Sequence, residues 1–237
     1  MSIELPPVIA IDGPSGSGKG TIASRVAEAL GWNLLDSGAL YRILAQVSQQ
    51  AGVAADTPAR LEELARGLRV AFTRTPAGVE QILLDGRDVT AVVRSEESGK
   101  RASELAVIPQ VRRGLVGVQR GFRRAPGLVA DGRDMGTVIF PDAGLKIFLT
   151  ASVEERVQRR YKQLKEKGLN ATLPDLFSDL FARDERDRNR SVSPLRPAPD
   201  AVVLDTTGIP VQAVADQVLD RARRRYGEAA AGRRQGG

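Results

Sequence analysis

The stretch "PPVIAIDGPSGSGKGTIASRVAEALG", residues 6 to 31, restricts the fold more than any other part of the chain. Its first half is a short apolar run that ends at a glycine-rich loop, which reads as a buried strand of a parallel sheet. Beyond the loop, Ile22, Val26, Ala29 and Leu30 recur at helical spacing until Gly31 stops them. In a strand, glycine loop and helix in that order, successive backbone N–H groups at the helix N-terminus can cradle phosphate oxygens, and the helix dipole adds attraction. The loop Gly13-Pro14-Ser15-Gly16-Ser17-Gly18-Lys19-Gly20-Thr21 nearly matches G-x-x-x-x-G-K-[ST], with Gly13, Gly18 and Lys19 in register. Lys19 would bring a mobile positive charge to the β and γ phosphates. The position whose hydroxyl should reach Mg²⁺ is Gly20, and the threonine comes one residue late, as Thr21. Mg²⁺ would then be held chiefly by nucleotide phosphates and water, and the protein ligand of the metal is unknown from the sequence.

The rest of the chain extends the same architecture. "WNLLD" reads as a strand and "SGALYRILAQVSQQ" as a helix that Asp36 or Ser37 could cap. "TPARLEELARG" reads as a further helix. Residues 67 to 94 are short β-rich runs broken by the turn signals "TPAG" and "DG", which predicts a small antiparallel insert. Helical patterns return, break before Pro109 and resume. "GLVAD", "LKIFLT" and "AVVLD" are three more strands set among helices. The expected fold is α/β: a phosphate-loop parallel sheet flanked by helices, with a small antiparallel β-rich insert and a helical lid. The expected division is a core of residues 1–60 and 105–237, a lid near 168–192, an insert at 61–104 and a disordered tail at 227–237.

In "TLPDLFSDLFARDERDRNR", Leu173, Leu176, Phe177, Leu180 and Phe181 form one helical stripe that continues through Asp184, Asp187 and Arg188. A core helix running past its core to face a polar cleft has this pattern, and so does a solvated, salt-bridged helix end.

Composition narrows the chemistry. The 237 residues include neither cysteine nor histidine, so thiolate chemistry, disulfides and imidazole bases or metal ligands are excluded. Lys, Arg, Asp, Glu, hydroxyls, backbone amides and Mg²⁺ remain. Net charge is +6, from 35 basic and 29 acidic residues, which fits nucleotides and nucleic acid equally well. The C-terminal "RARRRYGEAAAGRRQGG" could touch nucleic acid, or simply be a helix whose last-turn arginines meet the negative dipole end. No stretch has the apolar length of a membrane span, and the start lacks a signal-peptide pattern, so a cytoplasmic protein is expected.

Arginines punctuate the loops and helix ends. Arg42 lies about one turn beyond the Asp36 cap; Arg112 follows Pro109; Arg133 and Asp134 come just after a strand, at the carboxyl end where α/β ligands bind. Arg183 and Arg190 are one heptad apart, with Asp187 near the same face. Any one of them could be a surface charge. Together they suit a cage for phosphoryl transfer, because guanidinium forks match phosphate oxygens bidentately.

"IDGPSGSGKGT", "LLDSGALYR", "ADGRDMGTVIFPDA" and "RDERDRNR" also carry a resemblance. Together they look like bacterial-type cytidylate kinase, a family of P-loop nucleoside monophosphate kinases, in order and spacing from about residue 8 to 226. Gly20 is that family's own spelling, and the family has a β-rich insert in its monophosphate-binding region. The resemblance implies that residues 13–21 bind ATP, that Arg42 and Arg133 hold the acceptor phosphate with Ser37 nearby, and that Ser103, Arg112 and Asp134 read the cytosine edge. It also implies that Asp187 binds the ribose hydroxyls with Arg183 in the same region, and that Arg190 belongs to a lid.

The expected activity is transfer of the γ-phosphoryl group of ATP to CMP or dCMP with Mg²⁺. Lys19, Arg133, Arg183 and Arg190 would be the catalytic charges. The protein would act as a monomer without nucleic-acid or membrane partners. Two alternatives stay open. One is a kinase for another nucleoside monophosphate or a small alcohol, for which Asp36 could serve as base. The other is a nucleotide-dependent nucleic-acid-binding protein. If an enzyme carboxylate rather than the substrate set the acid side of the pH profile, Asp36 or Asp187 would be the group to suspect.

Overall fold

The computed structural model describes residues 5–166 and 168–227. In chain order the elements are β1 (Val8–Asp12), α1 (Lys19–Leu30), β2 (Asn33–Asp36), α2 (Ser37–Gln50), α3 (Pro58–Arg66), β3 (Val70–Arg74), β4 (Glu80–Leu84) and β5 (Arg87–Asp88). There follow α4 (Thr90–Val93), α5 (Glu96–Leu105), α6 (Pro109–Arg120), β6 (Leu128–Gly132), a π-helical turn (Met135–Ile139), β7 (Leu145–Thr150), α7 (Val153–Glu166), α8 (Leu173–Arg188), β8 (Val202–Asp205) and α9 (Val211–Tyr226). The chain forms two compact units, Met1–Asn33 with Arg124–Gly237, and Leu34–Arg123.

The first unit is built on the strands β6, β1, β7 and β8, hydrogen-bonded side by side in that order. β1 lies between β6 and β7, parallel to both, with Asp12 opposite Gly132 and Phe148. All five residues of β1 and of β6 are buried, which is why both read as apolar runs, each with an aspartate at or beside its last position, Asp12 or Asp131, rather than as alternating ones. Helix α1 buries Ile22, Ala23, Val26, Ala27 and Leu30. Ala29, expected on that face, is exposed: it lies about 20° from Ile22 around the helix axis, but the buried arc extends from Ile22 in the other direction, through Val26, Leu30, Ala23 and Ala27, and leaves Ala29 at its edge. Val157, Leu164, Leu176 and Leu180 form a separate small core between α7 and α8. Of the stripe expected on α8, only Leu176 and Leu180 are covered; Leu173, Phe177 and Phe181 are exposed. Four-residue spacing defines a narrow ridge, and α7 covers only that ridge. The ridge does continue into buried charge at Asp184 and Asp187, as a helix facing a polar cleft would have it, while Arg188 is exposed. Helix α9 ends with Arg223, Arg224 and Arg225 in its last turn, where they meet the negative dipole end. The tail expected to be disordered lies, apart from Gly227, outside the described residues.

The second unit carries the antiparallel sheet β3-β4-β5, with Val70 opposite Leu84 and Leu83 opposite Asp88. It is wider than the 61–104 insert because helices pack around it. α3 and α6 approach so closely that a Cβ on Gly114 would lie 2.7 Å from both the Ala65 Cβ and the Glu62 carbonyl oxygen. α5 is capped by Ser95, whose hydroxyl accepts from the Ser98 N–H. Pro109, expected to break a helix, is the first residue of α6, where its missing N–H costs nothing.

Candidate active site

β1 runs into the glycine loop through Asp12. Gly13 passes so close to β7 that a Cβ there would sit 2.2 Å from the Leu149 carbonyl oxygen, so only glycine fits. Gly18 caps α1 in the left-handed region at φ 86°, and the helix has neither a side-chain cap nor an acid in its first turn. The first amides of α1 therefore suit an anion. Pro14 and Ser17 are buried within the loop, and Gly20 and Thr21 are exposed in the first turn of α1. The Lys19 ammonium donates to the Pro14 carbonyl at 3.1 Å.

The outside of the loop is held by α7, which sequence reasoning missed. Arg156 is 2 % exposed. It donates to the Ser15 carbonyl at 3.0 Å and to the Ala151 carbonyl at 3.2 Å, and pairs with Asp184 of α8 at 2.6 Å. Arg159 donates to the Thr206 carbonyl at 2.6 Å and to the Ser17 carbonyl at 3.4 Å. In sequence, "VEERVQRRYKQLKE" carries no signal that separates these two arginines from a solvated helix face.

The expected charges of this unit do come together. Arg133 donates through Nε to Asp187 at 2.8 Å, and both side chains are largely buried. Arg190 donates through Nε to the Asp187 carbonyl at 3.3 Å, with Nη1 3.9 Å from its carboxylate. Burial pushes the Asp187 carboxyl up, but Arg133, Arg190 and Arg183 outweigh it and hold the group below the usual range. Asp187 is therefore not a carboxylate of raised pKa, contrary to one expectation above. Burial pushes Lys19 down to about 7; the Arg133 and Arg183 charges add to this, against Asp131 and Asp187.

That shift gives a prediction. At pH 8 a lysine of pKa about 7 is mostly neutral in the free protein, and polyphosphate would restore its charge. Binding of ATP at pH 8 should therefore take up nearly one proton, seen as a dependence of the calorimetric enthalpy on buffer ionisation enthalpy. Lys19→Met should abolish the uptake. An unchanged enthalpy across buffers would contradict the assignment.

Two further carboxylates escaped the sequence reading. A Cβ on Gly20 would lie 3.1 Å from Oδ2 of Asp131, at the end of β6. The carboxylate thus crowds position 20, and a Ser or Thr there would require it to give way by a few tenths of an ångström. Asp12, 5 % exposed, accepts the N–H groups of Met135 and Gly136, both at 2.8 Å. It thereby pins the π-helical turn that follows Arg133 and Asp134. Burial pushes Asp12 up to about 6; the two amides and Arg133 oppose this, and Asp134 adds to it. Asp134 itself is 3 % exposed.

In the second unit, Asp36 caps α2 by accepting the Ala39 N–H at 2.9 Å. Arg42 donates to the Ser95 carbonyl at 2.8 Å and the Val93 carbonyl at 3.1 Å. Ser37 and Ser103 are buried, and Arg112, also buried, lies 5.8 Å from the centre of the Tyr41 ring and donates to the Ala106 carbonyl.

A parallel sheet that feeds a glycine loop and Lys19 into a helix, beside clustered arginines, defines a P-loop kinase. The cytidylate kinase family profile matches residues 9–224. The chain is 53% identical to a cytidylate kinase of Azotobacter vinelandii over 92% of this chain and 96% of that one. It is 50% identical to one of Aeromonas salmonicida over 96% and 99%, respectively. The chain belongs to the cytidylate kinase family.

Proposed function

We propose that the chain transfers the γ-phosphoryl group of ATP to CMP or dCMP, giving CDP or dCDP and ADP, as a cytoplasmic, Mg²⁺-dependent enzyme acting as a monomer. The observation that carries this reading is the cluster of Lys19, Arg133, Arg183, Asp187 and Arg190 beside the glycine loop in a chain of this family. The loop residues 13–21 bind the ATP phosphates. Arg133 and Arg42 hold the acceptor phosphate with Ser37. Asp134, Ser103 and Arg112 read the base, and Asp187 with Arg183 takes the ribose. Arg190 closes over the phosphates.

Catalysis is positioning and charge neutralisation. The attacking oxygen belongs to a phosphate already ionised near neutral pH, so no general base is required, and the lack of histidine is no obstacle. Among the described residues no three acidic side chains converge into a metal cluster. The carboxylate beside Gly20, that of Asp131, suits a Mg²⁺ held mainly by phosphates and water. Such a metal would neutralise charge on the transferring group. The α2 cap already engages Asp36, which weakens the alcohol-kinase alternative.

ADP release with ATP and Mg²⁺ against a panel of nucleoside monophosphates and small alcohols tests the reading. Fastest turnover is expected with CMP and dCMP. Faster turnover of a purine monophosphate or an alcohol, or ATP consumption stimulated by RNA and not by CMP, would overturn it.

Adjacent residues should separate by role. Arg133→Ala should lower kcat/KM for CMP and UMP alike, by roughly 10- to 100-fold, as expected for losing a charged hydrogen bond. Asp134→Ala should instead cut the CMP preference over UMP by about tenfold, because a base edge loses its partner. Equal changes for both substrates in both variants would refute this division.

A further inference from the structure

On α6, Gln119 follows Arg112 by seven residues, so both lie on one face, within about 20° of each other around the helix axis. That face is otherwise apolar, with Val111 and Leu115 completely buried. Gln119 is 1 % exposed. Its Nε2 donates to the Ser37 hydroxyl at 3.0 Å, and its Oε1 is buried without a partner among the described residues. A half-satisfied buried amide destabilises a fold, and a leucine or methionine of similar size would not. A purely structural account therefore gives no reason for a glutamine here.

The Ser37 hydroxyl supplies the reason. It is itself 3 % exposed, at the first position of α2, and among the described residues it makes no hydrogen bond other than the one from Gln119. A hydroxyl has one proton to donate and two lone pairs. When Gln119 donates to it, one lone pair is engaged and the proton remains available. We infer that Gln119 is a positioning residue: by donating to Ser37 it fixes that hydroxyl as a hydrogen-bond donor to the acceptor phosphate. The inference rests on the proposed contact between Ser37 and that phosphate. It concerns the phosphate and not the base, so its effect is the same for CMP and UMP.

The test is a double-mutant cycle in the full-length enzyme with Ser37→Ala, Gln119→Met and both, read as KM and kcat for CMP and UMP together with Tm. Gln119→Met should raise KM for both substrates about fivefold, the loss of one neutral hydrogen bond, while Tm stays level or rises. In the Ser37→Ala background the same change should do nothing further. Independent, multiplying losses, or a KM unchanged by Gln119→Met while Ser37→Ala raises it, would overturn the inference and leave the proposed function standing. A drop in Tm that accounts for the lost activity would also overturn it. If Ser37→Ala leaves KM unchanged, the contact between Ser37 and phosphate is what fails, and the inference falls with it.

Discussion

Lys19→Ala is expected to lower kcat by roughly a thousandfold, the scale set by removing a preorganised charge from a developing transition state, while leaving the affinity for CMP nearly unchanged. The loop places this ammonium on the transferring phosphoryl group, where the interaction strengthens as charge redistributes; such interactions appear in kcat rather than in ground-state binding. The variant should also stay folded. Burial pushes Lys19 down to about 7, so holding its charge in the free protein is unfavourable, and among the described residues its hydrogen bond goes to one carbonyl, that of Pro14. Between pH 7 and the ordinary lysine range the unfolded chain binds the extra proton, and removing the side chain takes away that penalty. Single-turnover kinetics beside a CMP titration would check this. Near-normal turnover in a folded Lys19→Ala protein would remove the phosphate-loop assignment.

Legibility in the sequence followed the kind of signal available. β1, the glycine loop and α1 are readable because burial on both faces gives an apolar run, because Gly13 has no room for a side chain, and because Gly18 sits in the left-handed region that strains other residues. The charged continuation of α8 was readable as periodicity, but which of its apolar residues face α7 was not. Leu173, Phe177 and Phe181 share the stripe and still lie exposed, since periodicity sets a face and only packing sets its width. The sequence pattern points to Arg133, Asp187 and Arg190, and the structure brings them together. Asp12, Asp131, Arg156 and Gln119 were not singled out. Each is one polar residue whose meaning depends on a partner distant in sequence, as Gln119 depends on Ser37 at 82 positions' separation. Gly20 is the exception: its missing hydroxyl is visible in the sequence, and the carboxylate crowding that position is the part that needs the fold.

On the acid side, kcat/KM is expected to fall tenfold per pH unit below about 6, and so roughly a hundredfold by pH 4, because the acceptor phosphate has its second pKa near 6 and must attack as the dianion. No imidazole is present to produce such a limb. Asp187 cannot supply it either. Its pKa is held below the ordinary carboxylate range, so the stability of its pairing with Arg133 is present above that range and is lost only as the pH falls through the depressed value. An enzyme group that can compete is Asp12, pushed up to about 6 by burial. Its sign is the opposite: ionising it costs stability as the pH rises from about 4 to about 6, so acid does not unfold the protein through Asp12. Protonation would instead loosen its hold on the amides of Met135 and Gly136, just beyond Arg133 and Asp134. An acceptor analogue with a lower phosphate pKa separates the two causes. If the substrate dianion is the nucleophile, the limb moves down with the analogue. A limb that stays fixed while the analogue's pKa moves, and that shifts in Asp12→Asn, would assign it to Asp12 and end the account in which the substrate alone governs the acid side.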